Sequence, residues 1–256
     1  MPSPVVLPRL SWGAPDAARR ALLVHGLGSN GPLMWRYGVA LADAGWRADA
    51  VDLRGHGTAP RALDYTIAAY AADLAATRPV GGAAWDVVVG HSLGAAASTV
   101  AVAADPAWTR RLVLIDPAIS LTDRDREIVR TSQEESFADP SPRAVREAHP
   151  HWHEHDVELK ALSAQQASRW AVEQTSVQNA EWDVTDAATA LAVPTHVIAS
   201  DPAVYSIFRG KPAESVVEAN PRITMSVVAG AGHSPHRDEP EATIAQFLEA
   251  LEGLDT

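Results

Sequence analysis

Short apolar runs alternate along the chain with longer segments whose apolar residues recur at a helical spacing. Several runs are apolar at consecutive positions, which is typical of strands covered by helices on both faces. Strands that alternate with helices predict a parallel sheet joined by crossover helices. The strand candidates are 22–24, 48–51, 87–89, 112–115, 196–198 and 224–228, with an edge strand within 5–12. The helix candidates are 32–44, 65–77, 93–104 and 239–252.

The alternation stops between Pro117 and about Leu191, where charged helical stretches are separated by proline-containing turns. A loop of this length without structure is uncommon inside a compact domain. We therefore predict an all-helical insertion. The expected domains are a core of residues 1–117 and 194–256 and a helical cap of residues 118–193.

Composition and charge exclude several classes of protein. The net charge is -11, and a surface this acidic repels phosphate backbones and anionic lipid, so we expect no nucleic acid and no membrane partner. The chain has no cysteine, which excludes disulfides, thiolate metal sites and a cysteine nucleophile. No apolar run approaches the roughly 18 residues of a membrane span, and the N-terminus lacks the features of a signal peptide. These features favour a cytoplasmic protein.

The segment 90–94 reads Gly-His-Ser-Leu-Gly and lies between the candidate strand 87–89 and a helix rich in small residues. This is Gly-x-Ser-x-Gly in the strand–turn–helix context that presents a nucleophilic serine above a sheet. Glycines at both flanks remove Cβ atoms that would collide with neighbouring chain in so sharp a turn. Ser92 would lie at a helix N-terminus, where the helix dipole favours developing negative charge. We predict that Ser92 is a nucleophile.

The base and the oxyanion donors have candidates in two glycine-rich loops. His233 follows the last candidate strand in a loop that could carry its imidazole to the sheet edge. A turn after the first strand, His-Gly-Leu-Gly at 25–28, would aim the backbone N–H of Leu27 at the same space as the N–H of Leu93. Two such donors form an oxyanion hole. We expect His25 itself to hold this loop by hydrogen bonds.

Two aspartates compete to orient His233. Asp201 follows a candidate strand and precedes His233, which gives the chain order serine, aspartate, histidine. Asp116 ends the strand 112–115. Both would lie at the carboxyl edge of the sheet, where such sites form. We favour Asp201 and keep Asp116 as the alternative acid.

Five ordered motifs resemble those of the α/β-hydrolase superfamily across nearly the whole chain. They are HGLG at 25–28, DLRGHG at 52–57, GHSLG at 90–94, Asp201, and GAGHSPH at 230–236. The resemblance implies a mostly parallel, eight-stranded α/β sheet flanked by helices, with the cap inserted after the sixth strand. In this family the acid commonly lies in a Gly-x-x-Asp loop. This chain instead has Ala-Ser-Asp-Pro at 199–202, which keeps Asp116 open.

The same resemblance implies the roles already assigned to Ser92, His233, Asp201, Leu27 and Leu93. Haloalkane dehalogenases and epoxide hydrolases of this fold use aspartate where this chain has a serine. We therefore expect a cofactor-independent hydrolase of a small or medium carboxylic ester that acts through an acyl-enzyme. Lactones and aromatic half-esters such as monoalkyl phthalates fall within this class. A C–C bond hydrolase of the same fold and a non-catalytic ligand receptor remain alternatives.

The insertion and the loop after Asp201 offer candidates for the substrate pocket, which are Phe137, Trp152, Trp170 and Tyr205. The histidine-rich segment 149–156 has metal-ligand spacing, but Pro150 interrupts it and no third ligand is placed, so we predict no metal site. Trp152, Asp156 and Lys160 are spaced by four, which predicts a packed and salt-bridged helical stripe.

Overall fold

The computed structural model describes residues 3–253, which form seven strands, eleven α-helices and one short 3-10 helix (Gly31–Met34). The strands are β1 (Arg9–Trp12), β2 (Arg19–Val24), β3 (Trp46–Val51), β4 (Val87–His91), β5 (Leu112–Ile115), β6 (Thr195–Ser200) and β7 (Ile223–Val228). The helices are α1 (Trp35–Asp43), α2 (Ile67–Ala76), α3 (Leu93–Ala104), α4 (Asp123–Ala138), α5 (Pro142–Ala148), α6 (Glu154–Gln166), α7 (Arg169–Gln178), α8 (Thr185–Thr189), α9 (Gly210–Ala219), α10 (Pro235–Asp238) and α11 (Pro240–Gly253). Each apolar run of the sequence pattern corresponds to one strand.

The strands form one sheet in the order β1-β3-β2-β4-β5-β6-β7. Only β1 runs antiparallel to its neighbour within the described residues, and β2 to β7 are parallel. The mostly parallel sheet is thus confirmed, but it has seven strands and not the eight implied by the family resemblance. Before β1, Pro8 accepts one backbone hydrogen bond from Asp52 but has no N–H of its own, and no further strand forms there.

Helices cover both faces of the sheet, as the consecutive apolar positions predict. Successive strand residues point to opposite faces, so Leu22 and Val24 pack with α2 and α3 in one core layer, whereas Leu23 packs with α1 and α11 in the other. The central strands β4 and β5 are buried along their whole length. The carboxyl ends of these two strands are therefore held rigidly, and the residues that follow them are well positioned.

The segment between β5 and β6 contains helices α4 to α8, so the predicted helical character is confirmed. An isolated bridge between Ser120 and Asp183 and a hydrogen bond from Trp182 Nε1 to the Ala118 carbonyl (2.7 Å) join its two ends. The insertion thus follows the fifth strand, not the sixth. Helix α8 packs against α3 and belongs with the core, although the sequence placed it in the cap.

Membrane insertion has no support in the helices. Within residues 3–253, none of them combines the length and the apolar character needed to cross a bilayer.

Candidate active site

Ser92 lies in a strained turn between β4 and α3, with φ of 52° and ψ of -114°. Close backbone approaches explain the glycines on either side. A Cβ on Gly90 would lie 2.7 Å from Ala95 Cα, and one on Gly94 would lie 2.4 Å from the His25 carbonyl oxygen. The turn therefore needs glycine at both positions, as the sequence predicts. It presents the Ser92 hydroxyl at the carboxyl end of the central strand.

His233 joins Ser92 to a buried carboxylate. The Ser92 hydroxyl lies 2.9 Å from His233 Nε2, and His233 Nδ1 lies 2.6 Å from Asp116 Oδ2. A carboxylate can only accept, so Nδ1 carries the proton and Nε2 is free to accept from the serine. This is the arrangement in which an imidazole can take the proton of a serine hydroxyl.

Asp116 is fully buried and its carboxylate is surrounded by donors. Oδ1 accepts from Ser206 Oγ at 2.5 Å, and Oδ2 accepts from the Ile207 backbone N–H at 3.0 Å. Burial alone would raise the pKa of Asp116, but the hydrogen bonds from His233, Ser206 and Ile207 outweigh it and hold that pKa below its usual value. Asp116 is therefore ionised at neutral pH and able to fix the orientation of the imidazole.

The prediction that Asp201 orients His233 is wrong. Its Oδ1 accepts from the Ala203 backbone N–H at 2.8 Å, and its Oδ2 accepts from the Gly230 backbone N–H at 2.8 Å. These bonds lower the pKa of Asp201 and brace the loops after β6 and β7 against each other. Both carboxylate oxygens of Asp201 thus accept from backbone N–H groups. The alternative acid, Asp116, lies beside His233.

The two predicted oxyanion donors, Leu27 and Leu93, line one small cavity together with Ser92. Leu93 is the first residue of α3, where backbone N–H groups have no partner within the helix. The loop that carries Leu27 is held by His25, whose Nε2 accepts from the Leu53 N–H at 3.0 Å and whose Nδ1 donates to the Gly26 carbonyl at 2.7 Å. The structural role predicted for His25 is confirmed.

Helix α6 also holds this loop. Lys160 Nζ and Ser163 Oγ both donate to the Gly28 carbonyl, at 3.0 Å and 3.1 Å. The insertion therefore contacts the backbone that carries one of the predicted oxyanion donors.

Two further histidines near the site have packing roles. His91 Nε2 donates to the His233 carbonyl at 2.8 Å and thereby positions the loop that carries the imidazole. His236 is fully buried between the rings of Tyr37 and His91. Burial lowers the pKa of both His91 and His236, so both are neutral at neutral pH.

A cavity of about 580 Å³ opens over Ser92 and His233. Its size is ordinary for a small-molecule site. Much of its wall comes from the helical insertion: Ile128, Val129, Ser132, Gln133, Ala148, His149, Pro150, His151, Trp152 and Lys160. The insertion thus covers the carboxyl edge of the sheet where Ser92 lies.

Two of the four predicted pocket residues line this cavity. Trp152 is buried there, with its Nε1 donating to Asp238 Oδ1 at 2.7 Å, and Tyr205 packs its edge against the His233 ring. Trp170 does not line the cavity, because it is 44% exposed and packs against Tyr65 on the outside of α7. Phe137, near the end of α4, does not line it either.

Sequence reasoning did not find two cationic residues of the cavity wall, Lys160 and Arg237. The expected stripe paired Lys160 with Asp156, but Asp156 accepts instead from Arg36 Nη2 at 2.7 Å and Trp35 Nε1 at 2.8 Å. Lys160 faces the cavity, where it donates to the backbone. A spacing of four shows which residues share a helical face. It does not show which residue of another element will bind the carboxylate.

Residues 21–246 match the alpha/beta hydrolase family, and the chain belongs to that family. Among curated relatives, Lipase LipV of Mycobacterium tuberculosis is 35% identical over 153 residues, which cover 59% of this chain and 57% of that protein. A serine hydrolase-like protein of Dictyostelium discoideum is 24% identical over 144 residues, which cover 55% of this chain and 39% of that protein. The chain thus spans about half the length of the curated relatives it matches.

Solved structures support the fold. An esterase from Exiguobacterium antarcticum superposes with a TM-score of 0.79 at 16% identity, covering 98% of this chain and 100% of that one. A thermophilic esterase from Thermogutta terrifontis superposes with a TM-score of 0.75 at 22% identity, covering 98% of this chain and 94% of that one.

Proposed function

We propose that this protein is a serine hydrolase that cleaves a small or medium carboxylic ester through an acyl-enzyme on Ser92. The observation that carries the proposal is the unbroken hydrogen-bond chain from Ser92 through His233 to buried Asp116. It lies at the floor of a cavity sized for a small molecule. Relatives that bear the names lipase and esterase favour carboxylic esters as the substrate class.

In the acylation step, Ser92 Oγ attacks the ester carbonyl carbon while His233 Nε2 takes its proton. The carbonyl oxygen becomes an oxyanion that accepts from the backbone N–H groups of Leu27 and Leu93. Asp116 stabilises the imidazolium that forms and keeps its orientation. As the tetrahedral intermediate collapses, His233 gives the proton to the leaving alcohol, and the acyl group remains on Ser92.

In the deacylation step, His233 takes a proton from water as the water oxygen attacks the acyl carbon. The second tetrahedral intermediate collapses, Ser92 leaves with the proton from His233, and the carboxylic acid is released. The net reaction is an ester plus water to an acid plus an alcohol.

The test is the Ser92→Ala variant, assayed on p-nitrophenyl esters of rising chain length beside lactones and phthalate half-esters. We expect a loss in kcat of at least about 10³-fold with an unchanged fold, because nucleophile, base and acid act as a unit. A fluorophosphonate should label the wild type and not the variant. Retention of more than a few per cent of kcat in pure variant protein contradicts the proposal. Absence of both labelling and turnover in the wild type favours a ligand receptor, and turnover of dienoic ketones but not esters favours a C–C bond hydrolase.

A further inference from the structure

We propose that the cavity binds a carboxylate on the substrate, which makes half-esters of dicarboxylic acids the preferred substrate class. Lys160 and Arg237 would hold the carboxylate while Ser92 attacks the ester group of the same molecule. The inference rests on the proposed ester hydrolysis and adds the charge of the substrate to it. It is drawn from the cationic groups on the cavity wall and from the absence of a direct ion pair to either of them among the described residues.

Arg237 is a buried cation with unused donor capacity. It is 5% exposed and lies on α10, four residues after His233. Its Nε has no hydrogen-bond partner, and its Nη1 makes only a long bond of 3.4 Å to Ser234 Oγ. Burial lowers the pKa of Arg237, which reflects the cost of keeping this charge away from water. A planar guanidinium with free N–H groups is well suited to bind a carboxylate.

Lys160, on the inserted helix α6, contributes a second positive charge to the cavity wall. Its Nζ donates to the Gly28 carbonyl, which uses one of its three donors. Burial, together with the charge of Arg237, lowers the pKa of Lys160 to about 8, so the amine is mostly protonated at neutral pH. Both cations line the same cavity, and an anion bound there would offset the cost of keeping their charges away from water.

The nearby carboxylates form no ion pair with either cation, although the charges of Asp156 and Asp238 oppose the lowering of the Arg237 pKa by burial. Among residues 3–253, no carboxylate oxygen lies within the salt-bridge distance of 4.0 Å from Lys160 or Arg237. Asp156 is engaged by Arg36 and Trp35, and Asp238 accepts from the Trp152 indole. Glu239 also lines the cavity but is exposed, so solvent screens its charge. An anionic substrate would thus supply the direct carboxylate contact that both cations lack.

The reaction balances without any further reagent. The free carboxylate of the half-ester takes no part in bond making. Ser92 forms the acyl bond to the ester carbonyl, the alcohol leaves with the proton from His233, and water then releases a dicarboxylate. The charged end of the acyl chain is held through both steps, which lowers the entropic cost of placing the ester carbonyl beside Ser92.

The experiment compares monomethyl and dimethyl esters of the same diacids, from succinic to adipic acid and phthalic acid. Each pair differs by one charge and one methyl group. We expect the wild type to show a higher kcat/KM for the half-ester, at pH 7, for at least one chain length. Lys160→Met and Arg237→Met should each lower the ratio of kcat/KM for half-ester to diester by about 10- to 100-fold, the worth of a hydrogen bond between charged groups. Lys160→Arg should keep most of the preference.

Two control variants separate binding of the carboxylate from other effects. Lys211→Met removes the chain's other lysine, which is exposed on α9 and outside the cavity, and should leave the ratio unchanged. Ser163→Ala removes the second donor to the Gly28 carbonyl without removing a charge. If Lys160 only supported this loop, Lys160→Met would slow both esters by the same factor, as Ser163→Ala should.

The outcomes distinguish this inference from the proposed function. A wild type that hydrolyses diesters but never favours half-esters overturns the carboxylate site and leaves the esterase intact, even if a variant fails to fold. A preference that survives in both Lys160→Met and Arg237→Met also overturns it. A wild type that hydrolyses neither ester and takes no fluorophosphonate label contradicts the esterase itself, and the carboxylate site with it.

Discussion

Two residues of the proposed catalytic triad lie at the ends of adjacent strands, and both have strained backbone conformations. Ser92 follows β4 with φ of 52°, and Asp116 follows β5 with φ of 35°. Residues other than glycine rarely adopt this left-handed backbone region, and strain of this kind is most common at functional sites. In Asp116 it accompanies a carboxylate with five hydrogen-bond donors around it. The strain therefore marks the same two residues that the hydrogen bonds connect through His233.

The first prediction at this scale separates the two aspartates. In Asp116→Asn, the donors around Oδ1 favour the amide oxygen there and turn the amide nitrogen towards His233. The imidazole would then carry its proton on Nε2 and could not accept from Ser92, a loss in kcat of about 10⁴-fold in the serine protease precedent. Asp201→Asn should change kcat little, because that carboxylate binds backbone N–H groups. Steady-state kinetics decide, and the reverse ranking would return the acid role to Asp201.

The structure brings Ser92 and His233 together, as the sequence predicts, but it places Asp116 beside His233 and not Asp201. The local pattern around Ser92 requires glycine at fixed neighbours, so it can be read directly from the chain. Asp116 and Asp201 both follow strands of the same parallel sheet, and the sequence cannot show which carboxylate turns inward. Ser206 and Ile207, from the loop after Asp201, supply donors to Asp116, and only the folded chain brings them there.

The second prediction at this scale concerns pH. Lys160 has its pKa lowered to about 8, so its charge is present below that pH and is lost as pH rises through it. The preference for half-ester over diester should therefore be constant from pH 6 to 7 and fall above about pH 8. Arg237, the other cation, stays charged in this range, and His149 is neutral because burial lowers its pKa. The measurement is kcat/KM for both esters against pH, which reports the free enzyme.

The matched control for this profile is Lys160→Met. In this variant, the ratio of kcat/KM for half-ester to kcat/KM for diester should be independent of pH. A wild-type ratio that stays constant up to pH 10 would show that Lys160 does not contribute its charge to substrate choice.

At the scale of elements, helix α3 is packed so closely on strand β2 that one position admits no side chain. A Cβ on Gly94 would lie 2.4 Å from the His25 carbonyl oxygen and 2.5 Å from the Val24 carbonyl oxygen. Val24 is the last residue of β2 and His25 is the next residue, so both oxygens belong to backbone that is held by the sheet. The close approach fixes the distance between the turn at Ser92 and the loop that carries Leu27.

The prediction for this contact is that Gly94→Ala destabilises the protein. Alanine should gain about 1 kcal/mol of helix propensity. Overpacking against backbone costs about 1–3 kcal/mol, and the displaced His25 loop should also lower kcat. Gly45→Ala is the control, because it meets no atom within 4 Å and should cost only the strain of its φ of 79° while leaving kcat/KM unchanged. Urea unfolding and ester kinetics measure both effects. A Gly94→Ala protein as stable and active as the wild type would show that the helix can shift.

The elements themselves follow from the sequence pattern, whereas the faces of the inserted helices do not. Strands buried on both sides are apolar at consecutive positions, so β4 and β5 are recognisable. Helices α4 to α7 are rich in charge and have no dominant apolar face, and their orientation depends on contacts with other elements. Arg36 on α1 forms an ion pair with Asp156, and Lys160 faces the cavity instead of pairing with that carboxylate.

At the scale of the whole molecule, the insertion and the core line one cavity but contribute different groups to it. Ser92, His233 and Asp116 all come from loops of the core, while the inserted helices supply much of the wall. Lys160 and Ser163 of the insertion donate to the Gly28 carbonyl, in the loop that carries Leu27. Substrate choice should therefore respond to changes in the insertion that leave the chemical step intact.

The test compares two tryptophans of the insertion, one inside the cavity and one outside. Trp152→Ala should shift the ranking of p-nitrophenyl esters towards longer chains, because it enlarges the cavity, and one apolar contact changes kcat/KM by about 10- to 200-fold between homologous substrates. Trp170→Ala should leave the ranking unchanged, since Trp170 packs on Tyr65 outside the cavity. Trp152→Phe retains part of the volume but loses the bond to Asp238, so it separates cavity size from that bond. If Trp152→Ala changes kcat/KM by the same factor for every ester, this part of the cavity wall does not select the acyl chain.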